Sequence, residues 1–341
     1  MILVTGGTGL VGSHLLYFLL KNNESIRAIH RKSSNIQAVK KVFSFYTETP
    51  EETQSLFNKI EWVEADITEI PSLSEAFKNI TKVYHCAAYI SFDPKHYYRL
   101  KKINIEGTAN VVNLCLSHKI EKMMYVSSIA TLGKELNNAP ISEATEWNPE
   151  TKNSVYAITK YGAEMEVWRG TQEGLNAIIV NPGIILGSGY WNSGSGVILK
   201  SVAKGIPFYT PGGIGIVDVR DVVTVLISLM KKAVINERYI LVGKTVSYKD
   251  FLTELATNLH QKPPTKKASK WLLTIFAALD SVVSTLFGTK RKLLKTTITS
   301  LYNFSIYDTS KIEKELNFTF TPYKETIARV ATNYLQKDLR K

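Results

Sequence analysis

The chain has 341 residues, 44% hydrophobic and 21% charged, enough for a large core with a smaller attached lobe and too apolar for the disordered or fibrous classes. Its formal net charge of +12 points to anionic partners: a phosphorylated small molecule, nucleic acid or an acidic membrane surface. No nucleic-acid-binding motif accompanies that charge, so nucleic acid is not expected, and Cys86 and Cys115 form no CxxC pair that would support a metal site or a disulfide framework.

In chain order, residues 2–4 read as a short buried strand, without the basic region and cleavage site of a signal peptide, so a cytoplasmic location is expected. Residues 10–20 have the apolar density of a packed helix, and 25–30 read as a second strand. The polar stretch 33–59 reads as an irregular insertion. Strands are expected at 60–63 and 82–86, a helix at 103–116, a strand at 123–127, a helix at 152–172 and a strand at 176–180. This alternation predicts right-handed βαβ units and a doubly wound parallel sheet covered on both faces. The expected division is a first domain over 1–182, with further core contributions from 216–242, and a smaller substrate lobe over 183–341. The Gly-, Ser- and aromatic-rich stretch 187–215 reads as loops of that lobe.

The strongest local signal is Thr5-Gly6-Gly7-Thr8-Gly9-Leu10-Val11-Gly12, which follows a strand directly and opens a helix. Gly6 permits the tight turn, Gly9 leaves room for a pyrophosphate, and Gly12 lets the helix pack close to the strand. Gly6, Thr8, Gly9, Leu10, Val11 and Gly12 are the expected phosphate-side contacts of a dinucleotide, at the positive end of a helix. After the second strand, an acidic residue would mark NAD. Here His30-Arg31-Lys32 stands instead, so Arg31 and Lys32 are assigned to a 2′-phosphate and NADP is preferred to NAD. Asp66, after the third strand, is placed near the adenine.

Tyr156 and Lys160 are four apart on an expected helix, hence on one face. Hydride transfer to a carbonyl must be matched by proton delivery to its oxygen, which a phenol can supply. A nearby ammonium is expected to lower the phenol's pKa, and the same lysine can reach the nicotinamide ribose. Ser127-Ser128 ends the preceding strand, at the edge where ligands bind in open α/β folds. Ser128 is preferred to Ser127 as the group that polarises the substrate oxygen.

Together with Tyr125 to Gly133, His85-Cys86-Ala87-Ala88, Asn104-Ile105-Glu106-Gly107-Thr108, Asn181-Pro182-Gly183 and Val217 to Val222, these motifs resemble extended short-chain dehydrogenases/reductases over nearly the whole chain. The resemblance implies a Rossmann-type domain with a smaller C-terminal substrate-binding lobe. It implies that Asn104 supports the active site through backbone and water contacts. It further implies that Ile67, Ala87, Ala88, Pro182 and Gly183 line the cofactor beside Tyr156 and Lys160. Residues 26–31 look more like dihydroflavonol-4-reductase and 3β-hydroxysteroid dehydrogenase relatives than like sugar-nucleotide epimerases, which commonly carry an acidic residue there. Ile129-Ala130 after Ser128 departs from the Asp-Glu of 4,6-dehydratases. The expected activity is hydride transfer between NAD(P)H and a carbonyl or alcohol carbon of a small, apolar substrate. Two other readings stand beside it: an NAD-dependent nucleotide-sugar 4-epimerase and a redox-sensing binding protein. No metal is expected, and a homodimer is admitted.

Residues 268–295 form an apolar stretch flanked by Lys266, Lys267 and Lys270 on one side and Lys290, Arg291, Lys292 and Lys295 on the other, with Asp280 inside it. Asp280 makes a membrane span costly. A helix lying on an anionic membrane surface and a helix capping the pocket or a subunit interface both stay open. Residues 305–318 and a closing helix at 323–335 resemble the family's terminal segment.

Overall fold

The computed structural model describes residues 1–135, 139–271, 273–277 and 295–337. Strands β1 (Ile2–Thr5), β2 (Ile26–His30), β3 (Glu61–Glu64), β4 (Lys82–His85), β5 (Lys122–Val126) and β6 (Ala177–Pro182) join a later strand, Glu237–Leu241, in one parallel sheet. With β7 (Ile184–Leu186), β8 (Phe208–Tyr209) and β9 (Gly213–Asp218) intervening, that last strand is β10, and the sheet order is β10-β6-β5-β4-β1-β2-β3. The order reverses between β1 and β4, the switch point beside which open α/β sheets bind ligands.

The middles of the inner strands are apolar because both faces are covered, whereas the edge strand β3 is charged and exposed at both ends. In β1, Ile2 and Val4 face a cluster with Leu15, Leu16 and Leu19 of helix α1 (Leu10–Lys21), whereas Leu3 faces a second cluster. Residues 33–59 are not irregular: they form helices α2 (Gln37–Phe43) and α3 (Pro50–Asn58). Thr49 caps α3 by accepting the Glu52 N–H at 3.1 Å, and Pro50 occupies its first turn. Val39, Phe43, Leu56 and Phe57 sink into the α1 cluster, a tertiary gain that their polar neighbours conceal in sequence.

On the second face lie α4 (Ile70–Ala76), α6 (Gly107–Ser117) and α7 (Val155–Gln172), the short α5 (Tyr97–Leu100) preceding α6. The expected single helix at 103–116 is split: residues Lys101–Glu106 form a widened π turn carrying Asn104, and α6 follows. Beyond β6, β11 (Lys244–Ser247), β9 and β7 make a small mixed sheet. Helix α8 (Gly196–Val202), α10 (Tyr248–Asn258) and the closing helix Tyr323–Leu335 cover it, while α9 (Val219–Lys231) returns to pack on α1. Of the apolar segment expected over 268–295, residues 272 and 278–294 lie outside the described residues; residues 270, 271 and 273–277 are helical. Among the described residues, no helix is long and apolar enough to cross a membrane.

Candidate active site

Because every strand of the large sheet runs the same way, the segments that follow them emerge along one edge. The glycine loop follows β1, Arg31 and Lys32 follow β2, Asp66 and Ile67 follow β3, Ala87 and Ala88 follow β4, Ser128 follows β5, and Pro182 and Gly183 end β6. Thr5 turns into the loop through Gly6, whose φ of +69° favours glycine. A Cβ there would lie 2.5 Å from the Ala87 nitrogen, and one on Gly12 would lie 2.2 Å from the Gly6 carbonyl oxygen. The loop therefore lies against the start of α1 with no room for side chains. Gly9 caps α1 without a side-chain acceptor, which leaves first-turn N–H groups for an anion. Thr8, Gly9, Leu10 and Val11 are half-buried along this cradle, which fits a pyrophosphate.

Arg31 and Lys32 are exposed on a tight turn closed by the Ser34 N–H on the Arg31 carbonyl at 2.8 Å. Asp66 is taken up locally, its Oδ1 accepting both the N–H and the hydroxyl of Thr68 at 2.9 Å, and Ile67 is buried against Gly107. The Ala87 N–H donates to Thr5 Oγ1 at 3.3 Å, and the Gly183 N–H to the Leu241 carbonyl at 3.0 Å.

Ser154 caps α7 by accepting the Ala157 N–H at 3.1 Å, so Tyr156 projects from the first turn. The half-buried Tyr156 phenol hydrogen-bonds Ser128, and the Phe92 ring meets it edge-on at 5.4 Å. Burial pushes the phenol up to about 12, against the bond from Ser128. Lys160, buried one turn on, is pulled down to about 7 by burial, against the attraction of Glu164 and Cys86. Its Nζ donates to Tyr125 Oη at 2.6 Å and to the Val126 carbonyl at 2.9 Å. The expected lowering of Tyr156 by Lys160 is thus not what the structure has: the ammonium is engaged by β5, and burial governs the phenol, which stays protonated at neutral pH.

Ser127 and Ser128 part company. Ser127 is buried and donates to Glu164 Oε2 at 2.6 Å, while Ser128 faces Tyr156 and accepts the Ala130 N–H at 3.1 Å. Asn104 holds the Tyr89 backbone from both sides, accepting its N–H at 2.8 Å and donating to its carbonyl at 3.0 Å, and donates to Thr159 at 3.3 Å. It thereby ties the segment carrying Phe92 to the helix carrying Tyr156, a positioning role through backbone contacts.

Sequence reasoning missed Glu164, four residues beyond Lys160 on the same helix. Its fully buried carboxylate also accepts Thr131 Oγ1 at 2.8 Å, Asn181 Nδ2 at 2.9 Å and Arg238 Nη1 at 3.1 Å, pinning the turn behind Ser128. Only the recurrence of the four-residue spacing hinted at it. Glu164→Ala is expected to cost about 3–5 kcal/mol in urea denaturation, since it strands the Arg238 charge, whereas Glu164→Gln keeps an acceptor and costs less.

A nucleotide cradle, a phenol–hydroxyl pair and a buried ammonium at one sheet edge define a dinucleotide-dependent oxidoreductase of the extended short-chain type. A model of the NAD dependent epimerase/dehydratase family matches residues 2–242, and the chain belongs to that family. It is 28% identical to a putative dihydroflavonol 4-reductase of Synechocystis sp. over 95% of this chain and 92% of that protein. The crystal structure of gox2253 superposes with a TM-score of 0.81 at 26% identity, over 99% of this chain and 98% of the other. The UDP-glucose 4-epimerase of Thermotoga maritima, solved with UDP-glucose, shares the fold with a TM-score of 0.75 at 18% identity, over 99% of both chains.

Proposed function

We propose that the protein reduces a carbonyl carbon of a small, apolar substrate, with NADPH preferred to NADH as the hydride source. The observation that carries this reading is the Tyr156 phenol, kept protonated by burial, hydrogen-bonded to Ser128 and edged by Phe92. A reduced dinucleotide, with the glycine loop holding its pyrophosphate, would supply the hydride. The protein's own part is to place the substrate oxygen between Ser128 and Tyr156 and to give that oxygen the Tyr156 proton, which solvent replaces after the alcohol forms. Lys160 has three donors, two of them on Tyr125 and Val126, so one N–H remains for a ribose hydroxyl. Exposed Ile90 and Phe92 on the segment after β4 favour an apolar substrate. The reductase name of the Synechocystis relative agrees with this direction.

The test is NADPH oxidation with a panel of aryl and alkyl ketones, set against UDP-sugars. Stoichiometric conversion of NADPH and ketone supports the reading. Interconversion of UDP-sugars with no net nucleotide turnover overturns it in favour of the epimerase. The NADP preference rests on Arg31 and Lys32. Arg31→Glu is expected to weaken NADPH by about tenfold or more and NADH by much less, as read by fluorescence titration; equal losses would remove the assignment.

Peripheral membrane contact is supported by Trp271 and Phe276, 69% and 60% exposed, beside exposed Lys266, Lys267 and Lys270. At low salt the protein is expected to float with vesicles rich in phosphatidylglycerol and not with neutral ones. Absence from the anionic vesicles leaves the segment as a lid or a subunit contact.

A further inference from the structure

Beneath the candidate active site runs a line of buried polar side chains that proton delivery by Tyr156 does not use. Lys160 Nζ donates to Tyr125 Oη at 2.6 Å and sits 4.3 Å from the centre of the Tyr125 ring. The Tyr125 hydroxyl hydrogen-bonds Thr108 of α6. Thr108 Oγ1 lies 3.0 Å from His85 Nε2, and His85 Nδ1 lies 2.6 Å from Thr5 Oγ1, which also receives the Ala87 N–H. Lys160, Tyr125, Thr108, His85 and Thr5 are all at most 1% exposed, and the Tyr125 and His85 rings stack at 5.4 Å.

The ammonium can only donate, so the Tyr125 hydroxyl accepts from it. The bonds Tyr125–Thr108, Thr108–His85 Nε2 and His85 Nδ1–Thr5 continue the run, with donor sides that follow the His85 tautomer. His85 suits this role because burial, reinforced by the Lys160 charge, drops it to about 3 and keeps it neutral. The Tyr125 phenol is raised well above its usual range, chiefly by burial, and so keeps its proton. Buried polar groups that satisfy one another in this way hold a fixed geometry, because any member left unpaired costs free energy.

We propose that Tyr125 is a positioning residue for Lys160: its hydroxyl, oriented by Thr108 and His85, holds the ammonium in place and favours its charged form beneath the nucleotide. This deepens the site reading above and rests on it. The titratable groups around Nζ are Tyr125 from β5, His85 and Cys86 at the end of β4, and Glu164 from its own helix, with Tyr156 close enough to Tyr125 to act on it electrostatically. Only Tyr125 gives the ammonium a side-chain acceptor among the hydrogen bonds of the described residues. Its removal leaves Nζ buried on one backbone carbonyl, so the charged form loses ground and the lysine deprotonates at lower pH.

The experiment measures the Kd of NAD+ by calorimetry across the neutral pH range. NAD+ is the probe because it lacks a 2′-phosphate, which titrates near neutral pH. Affinity should weaken as pH rises through the Lys160 midpoint, because the neutral amine has only two N–H donors, those taken by Tyr125 and Val126, and loses the third that serves the ribose hydroxyl. Tyr125→Phe, which removes one hydroxyl, should move that midpoint down by about one pH unit or more. Thr108→Val should move it the same way by less, and Thr108→Ser, which keeps the hydroxyl, should leave it in place. A Tyr125→Phe midpoint that coincides with the wild type, or a weakening equal at every pH, overturns the inference. If Tyr125→Phe does not fold, the Thr108 pair decides: Val shifted and Ser unshifted supports it, and both alike overturn it. A wild-type chain that binds neither NAD+ nor NADP+ overturns the site reading and this inference together; if it binds NADP+ alone, the same midpoint comparison between wild type and variants is made with NADP+. Wild-type binding with unmoved variant midpoints overturns this inference alone.

Discussion

Tyr156→Phe is expected to lower kcat by about a thousandfold while leaving nucleotide affinity within about twofold of the wild type. The substitution removes only the phenolic oxygen, so the Phe92 edge contact and the packing of α7 survive. What is lost is the proton donor that burial keeps neutral, with its proton, at neutral pH. An interaction made to the reacting oxygen, and not to the bound nucleotide, should appear in kcat and not in Kd. Turnover with ketones and calorimetric titration with NADPH read the two separately. Retained turnover would remove the phenol from the chemistry and with it the proposed reaction.

Gly12→Val is expected to act on the other half of the site, lowering nucleotide affinity by about 100-fold or more. A Cβ on Gly12 would lie 2.2 Å from the Gly6 carbonyl oxygen and 2.8 Å from the Gly6 carbonyl carbon and Gly7 Cα. All three are backbone atoms of the phosphate loop, so the loop must move off the helix N-terminus that serves the anion. Gly174→Ala is the control. Gly174 has φ +100° but nothing within 4 Å of a Cβ, so the change should cost about 1 kcal/mol or more of stability and no affinity. Similar affinity losses in both variants would mean that general destabilisation, and not the cradle, is being read.

These expectations draw unequally on sequence and on structure. The loop from Thr5 to Gly12 was legible because its demands are local: a turn that needs positive φ, a helix start, and close approach within eight residues. The parallel sheet was legible because strands covered on both faces carry short apolar runs in their middles, alternating with helix-like segments. Helices α2 and α3 were not, because each is short and largely polar, and what stabilises them is the fit of Val39, Phe43, Leu56 and Phe57 against α1. The π turn that carries Asn104 was not legible either, and its side chain there meets the Tyr89 backbone, 15 residues earlier.

Sequence by itself determined the family, the nucleotide loop, the strand order of chemistry along one edge, and the pairing of Tyr156 with Lys160 on one helix face, because spacing along regular elements dictates all of these. Tertiary structure alone decided that Ser127 turns inward onto Glu164, that Glu164 and Arg238 brace the turn behind Ser128, and that Lys160 rests on Tyr125 instead of on Tyr156. The reason is physical: protonation states and hydrogen-bond partners follow from burial and from groups far apart in the chain, such as Thr5 and His85 at 80 residues, which no local pattern encodes.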